Sequence, residues 1–161
     1  MTIITTQTLL DRAAISDVFH NYAHGVDARD WKLFRSLFTD DVAADFTSLS
    51  PGNLITGADN WTEWVRRSID ALDATQHIIT NHMHVIDGDA SQSQSYLQAQ
   101  HVLRGEAGAP DTHYMIGGYY KYDMARAVAD WKIKRYSLTI NWTTGNPDIF
   151  RLGIARKKAK M

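Results

Sequence analysis

Three side chains of this sequence, Tyr22, Asp27 and His77, are of types that together could move protons. A carboxylate bonded to one nitrogen of an imidazole fixes the tautomer and makes the other nitrogen the base, while a tyrosine hydroxyl can protonate or polarise an oxygen. Such a set suits removal of a carbon-bound proton beside an electron-withdrawing group and loss of a leaving group, with neither a metal nor an organic cofactor. Each residue also has a plain structural use. Tyr22 could be a core aromatic with a bonded hydroxyl, and Asp27 could cap a helix starting near Arg29. The set acquires meaning only if the fold brings the three together.

Other polar residues fall at positions that could face a cavity. Strict alternation along QHIITNHMHVID places His77 with Ile79, Asn81, Met83 and Val85, and points His82 and His84 the other way. The H-x-H pair has no cysteine and no third ligand beside it, so no metal site is expected. His101 shares a face with Leu97, Ala99 and Leu103; it could be a pocket residue or a buried histidine bonded to backbone. Asn141 lies with Ser137 and Thr139, as a cavity donor or as an outer-face polar residue. His24 is off the apolar stripe and is expected in solvent.

The elements that must hold these residues follow from periodicity. Ile15, Phe19, Tyr22 and Val26 recur at helical steps, beside Leu10, Ala14 and Val18, and predict a helix over 7–25 loosened by Gly25. Asp27 or Asp30 can cap a second helix whose buried face carries Trp31, Phe34, Leu37 and Phe38. VAADFTS is short enough for a strand, SPGNLITG is turn-rich, and NWTEWVRRSIDALDA reads as a third helix. The period then changes to two through QHIITNHMHVID, SQSYLQAQHVLRGE, THYMIGGYYKYDM and DWKIKRYSLTINW, separated by DGDAS, AGAPD and ARAVA. Three helices before a meander of long strands predict an α+β fold with the helices packed on the concave face of a strongly curved, mainly antiparallel sheet. Residues 1–161 read as one domain, with the basic end RLGIARKKAKM, about 152–161 most of all, as a flexible solvated tail.

Composition narrows the function classes. Seventeen Lys plus Arg against eighteen Asp plus Glu give a net charge of −1, which offers no global field for nucleic acid or an anionic membrane. No cysteine is present, so thiolate chemistry and disulfides are excluded. The opening MTIITTQTLLDRAAI lacks the pattern of a signal peptide, and no apolar run approaches the ~20 residues that span a bilayer, so a cytoplasmic protein is expected.

DRAAISDVFHNYAHGVDARDWKLFRSLFTDDV, QHIITNH and GGYYKYDMARAVADWKI resemble the opening helix pair, a strand start and the final hairpin of the SnoaL-like branch of the nuclear-transport-factor-two-like superfamily. That branch includes scytalone dehydratase, bile acid 7α-dehydratase and hexachlorocyclohexane dehydrochlorinase. The resemblance implies a cone-shaped fold with a pocket between helices and sheet, and a homotrimer or dimer through the sheet. It matches Tyr22, Asp27 and His77 to the bile acid enzyme's pattern, and Asp27 and His77 to the dehydrochlorinase's base dyad. Gln100 stands where the bile acid enzyme has a second acidic residue, a departure that argues against a steroid substrate. His101 and Asn141 fall nearest to scytalone dehydratase's second histidine and asparagine, and Arg126 near the dehydrochlorinase's pocket arginine. Trp61, Trp64, Met83, Met115 and Phe150 would shape the pocket, with Trp64 and Met83 touching substrate.

The reading that follows is a cofactor-independent lyase, a dehydratase or related eliminating enzyme, acting on a small cyclic or polyketide-like substrate. His77 would be the base, Asp27 its orienting partner and Tyr22 the acid, with His101, Asn141 and Arg126 holding substrate. The rivals are a ketosteroid-isomerase-like or polyketide-cyclase-like proton transfer, and a non-catalytic binding module or dioxygenase small subunit.

Overall fold

The apolar stripe Ile15, Phe19, Tyr22 and Val26 is the buried face of α1 (Thr6–Ala28) in the computed structural model, which describes residues 4–128 and 130–160. Thr5 caps α1 by accepting from the Thr8 backbone N–H at 3.1 Å. Leu10, expected beside the stripe, instead points to solvent. The helix also runs past Gly25 and ends at Arg29 in a left-handed conformation (φ 58°), whose guanidinium donates to the carbonyls of Asp27 and Leu72. Gly25 serves packing: a Cβ there would lie 3.2 Å from the Phe34 backbone, so its absence lets α1 approach α2 (Trp31–Ser36) closely. Asp30, accepting from the Leu33 N–H at 2.9 Å, caps α2, which leaves Asp27 free of capping.

After α2 come β1 (Phe38–Asp45), β2 (Leu54–Thr56) and α3 (Ala58–Ile69), which buries Trp61, Val65 and Ile69. The long strands are β3 (Ala74–Asp87), β4 (Ala90–Leu103), β5 (Thr112–Ala127) and β6 (Asp130–Gly145). One open six-stranded sheet results, in the order β2-β1-β6-β5-β4-β3, with β1 and β6 parallel and the other neighbours antiparallel. The helices pack on it to give the expected α+β cone. A continuous apolar core runs from Ile15 and Phe19 through Phe34, Phe38, Trp61 and Tyr136 to Ile149.

Of the sheet's register irregularities, two change the facing of candidate site residues. Between Thr80 and Met83, β3 has one residue more than its partner β4, and Asn81 takes a left-handed conformation (φ 56°). A one-residue slip reverses every side chain beyond it. His82 and His84 therefore turn inward toward α1, while Met83 and Val85 turn out and are 66% and 72% exposed. On β6 the extra residue is Asn141, between the Gly117–Trp142 and Gly118–Ile140 pairs.

The basic tail is also corrected. Residues 149–159 form a fourth helix, α4 (Ile149–Ala159), in which Ile149 is fully buried and Gly153 sits where a Cβ would lie 2.5 Å from the Ala71 carbonyl. Arg156 fastens it, donating to Asp73 at 2.7 Å and to the Arg104 carbonyl at 3.1 Å. Its last turn is solvated, as are Arg151 and Ala155, but Leu152, Gly153 and Ile154 supply an apolar side that a count of basic residues conceals.

Candidate active site

A cavity of 430 Å³ opens between α1, α3, the first turn of α4 and the inner face of β3–β6. α1 contributes Tyr22 and Val26, α3 contributes Trp61 and Trp64, β3 gives His77, and β4 gives Leu97, Ala99 and His101. Several aromatic rings form one wall: the Trp61 and Trp64 rings stack at 5.3 Å and 16°, and Phe46 lies 4.6 Å from Trp61.

Asp27 sits at the inner end of α1, where helical spacing from Tyr22 and Val26 turns it toward the start of β3. Its carboxylate accepts three bonds from that strand: His77 Nδ1–H at 2.7 Å, the His77 backbone N–H at 2.7 Å and the Thr75 hydroxyl at 2.9 Å. Burial penalises the carboxylate's charge, but these hydrogen bonds outweigh it and hold Asp27 below its usual range. A carboxylate can only accept here, so Nδ1 carries the proton and Nε2 of the cavity-lining His77 is left with its lone pair.

His101 lies against His77, the rings 5.8 Å apart and nearly perpendicular. Its Nδ1 donates to the Tyr114 carbonyl at 3.1 Å, so it is bonded to backbone and also lines the cavity. Burial drives its pKa down to about 4, which keeps the ring neutral. Tyr22 packs 6.4 Å from His77 and 5.3–5.8 Å from Tyr136 and Tyr120. Burial raises the Tyr22 hydroxyl far above its ordinary value, so it stays protonated and remains a donor. Trp61 Nε1, on the cavity wall, is buried without a partner among the described residues, as a donor that a bound molecule or ordered water could satisfy.

Tyr22, His77, His101, Trp61, Trp64 and Phe150 thus meet at one cavity, with Asp27 directly behind His77. Three expected substrate-binding residues lie elsewhere. Met83 is turned outward by the bulge at Asn81. Asn141, itself the bulge residue of β6, lines an outer groove with Tyr96, Tyr119 and Trp142. Arg126 closes the opposite end of the molecule, donating to Asp11 at 2.8 Å and Asp89 at 2.9 Å while lying 4.4 Å over the Trp131 ring. Met115, paired with Gln100 across the β4–β5 ladder, does not line the cavity either. Sequence reasoning missed Tyr120, Thr75 and Arg151. Tyr120 could have been found from alternation within β5; Thr75 precedes His77 by two residues and so shares its face.

An open curved sheet with helices over a histidine-lined apolar cavity defines a cone-shaped α+β protein of the nuclear-transport-factor-two-like kind. The SnoaL-like domain family matches residues 7–137, and the chain belongs to that family. It is 28% identical over 149 residues to the terrestric acid biosynthesis cluster protein E of Penicillium crustosum, covering 90% of this chain and 92% of that one. Among solved structures it is similar to the Kfla4162 protein of Kribbella flavida, with 29% identity, a TM-score of 0.82, and 89% and 98% of the two chains covered. The hexachlorocyclohexane dehydrochlorinase of Novosphingobium barchaimii shares the fold, with a TM-score of 0.71 at 20% identity over 86% and 91% of the chains.

Proposed function

We propose that this protein is a lyase acting on a small cyclic or polyketide-like molecule, with His77 removing a carbon-bound proton and a leaving group departing from the adjacent carbon. The observation that carries the reading is the 2.7 Å contact between Asp27 and His77 Nδ1, which presents the other ring nitrogen to a mostly apolar cavity. As Nε2 takes the proton, the imidazolium forms beside the Asp27 carboxylate, whose charge stabilises it. Tyr22, kept protonated by burial, donates to the carbonyl or departing oxygen. Neutral His101 offers an acceptor nitrogen to a substrate hydroxyl. The wall of Phe46, Trp61 and Trp64 excludes water and holds a flat ring. The family, the biosynthetic relative and the fold shared with a dehydrochlorinase all support this class of chemistry. By the same family resemblance the working unit is a homo-oligomer, a trimer before a dimer.

The test is a panel of cyclic β-hydroxy ketones, beginning with 3-hydroxy-1-tetralone, followed by mass spectrometry. Loss of one water that disappears in both Asp27→Asn and His77→Ala supports elimination. Turnover at unchanged mass would favour isomerisation or cyclisation in the same cavity, and turnover unaffected by either substitution would remove the dyad from the chemistry.

A further inference from the structure

The cavity wall has a charge asymmetry. No aspartate or glutamate is among the side chains lining it, and His101 is neutral, while Arg151 from the first turn of α4 supplies a permanent positive charge. Depth separates the groups: Tyr22, Trp61, Tyr120 and His101 are buried at the floor, whereas Ser50, Pro147 and Arg151 are exposed at the rim. Arg151 donates to Asp148 at 3.0 Å through Nη2 and at 3.4 Å through Nε, leaving Nη1 without a partner among the described residues. Phe150, the preceding residue, brings its ring to 4.9 Å from His101, so Arg151 lines the same cavity as the histidines but at its exposed rim.

The surrounding charge agrees. Although the whole chain carries a net charge of −1, α4 has Arg151, Arg156, Lys157 and Lys158 and no acidic residue. Arg156 is committed to Asp73, which pins the helix across the cavity mouth; Lys157 and Lys158 have no ion-pair partner among the described residues. Arg151 alone of these basic residues lines the cavity, and the further positive charge along α4 adds to the field that concentrates anions near its mouth.

We propose that the cavity takes a flat organic acid, its ring against Trp61 and Trp64 and its carboxylate or enolate held at the rim by Arg151. The proposal deepens the lyase reading, on which it rests, by giving the substrate an anionic group remote from the reacting carbon. It also gives the basic C-terminal segment a role in substrate capture.

The experiment is a fluorescence titration of the full chain with 2-naphthoate and its neutral isostere 2-naphthamide, using quenching of Trp61 and Trp64. The wild type is expected to bind the acid about three- to five-fold more tightly than the amide, as an ion pair at an exposed rim would give. Arg151→Gln should abolish that preference and leave amide affinity unchanged. Asp148→Asn, which frees the guanidinium, should enlarge it, and added salt should weaken only the acid. Equal binding of acid and amide, absence of binding by both, or an acid preference that survives Arg151→Gln would overturn the proposal. Binding does not depend on turnover. His77→Ala is therefore expected to retain the acid preference, and failure of the lyase reading would appear as unchanged turnover in that variant with the Arg151 effect intact.

Discussion

Histidines of β3 meet α1 at two places, His77 at one and His82 with His84 at the other, and only at the first does a ring pair with a carboxylate and line the cavity. At the start of β3, His77 has a carboxylate on Nδ1 and a cavity in front of Nε2. Seven residues along the same strand, His84 has hydroxyls on both nitrogens, Ser93 Oγ at 2.9 Å and Ser16 Oγ at 3.1 Å, and His82 shares that Ser16 oxygen at 3.0 Å. Ser93 continues the chain to Ser91 at 3.0 Å, and Phe19 packs edge-on against His82 at 5.2 Å. Burial lowers the pKa of both, His84 to about 4, so this second group is a neutral polar network filling the space under α1. On the proposed function, the same residue type on the same pair of elements is a base or a filler according to its partner and to whether one nitrogen meets open space.

That contrast is most sharply tested by parallel substitutions. His77→Ala should lower turnover of an eliminated substrate by roughly 10²–10⁴-fold, a loss far larger than the destabilisation from leaving the Asp27 carboxylate without its imidazole partner would cause. His84→Ala should leave turnover within about two-fold but cost about 1–3 kcal/mol of stability, because Ser16 and Ser93 lose buried partners; chemical denaturation reads the difference. Equal losses of turnover in both variants would erase the distinction.

Next in size is the junction that aims Asp27. Gly25→Val would press a branched side chain against the Phe34 backbone, already at 3.2 Å from the position of a Cβ. It should cost about 1–3 kcal/mol and reduce activity as α1 is displaced. Wild-type stability in this variant would show that α1 can shift without disturbing the fold.

Acid should act on the neutral histidines. His84 and His101 have folded pKa values of about 4 against the ordinary 6.5, so between those values the unfolded chain binds more protons than the folded one. Their contribution to stability is therefore largest above pH 6.5 and falls on acidification until about pH 4. Thermal melts are expected to drop by several degrees from pH 7 to pH 5, and His84→Gln should flatten that dependence. A melting temperature constant over this range would contradict their burial as neutral rings.

The smallest effect expected is at Thr75, whose hydroxyl donates to Asp27 Oδ1 at 2.9 Å. Thr75→Val removes one of three bonds that lower the Asp27 pKa, so the acidic limb of the pH–rate profile should move upward while maximal turnover falls only by about two- to five-fold. Thr75→Ser should restore both, and a profile identical to wild type in Thr75→Val would dismiss the bond as irrelevant.

Much of this was legible from order and spacing alone. The stripe through Tyr22 and Val26 and the alternation in β4 that turns His101 inward depend on unbroken periodicity, and there the sequence reading and the structure agree; the junction before His77 differs, since α3 ends at Ile69 instead of reaching Ala74, and β3 starts at Ala74, two residues before Gln76. Legibility stops at the bulges. One extra residue at Asn81 reverses Met83 and the His82–His84 pair, and Asn141 is itself such an insertion; nothing in local composition marks either. Arg126 failed for a different reason, since its partners Asp11 and Asp89 lie 115 and 37 residues away in sequence and are joined only by the fold. The C-terminal segment was misread because its apolar contacts are few and its charges many, although Ile149 and Gly153 suffice to dock it.

The central claim is that Asp27 holds His77 with Nδ1 protonated and Nε2 as an open acceptor in the cavity. ¹⁵N NMR of the imidazole rings, assigned by comparison with His77→Gln, tests it directly. At neutral pH the account predicts a His77 signature with a protonated Nδ1 and an unprotonated Nε2, lost or rebalanced in Asp27→Asn. A His77 ring protonated on Nε2, or one indifferent to Asp27→Asn, would contradict it.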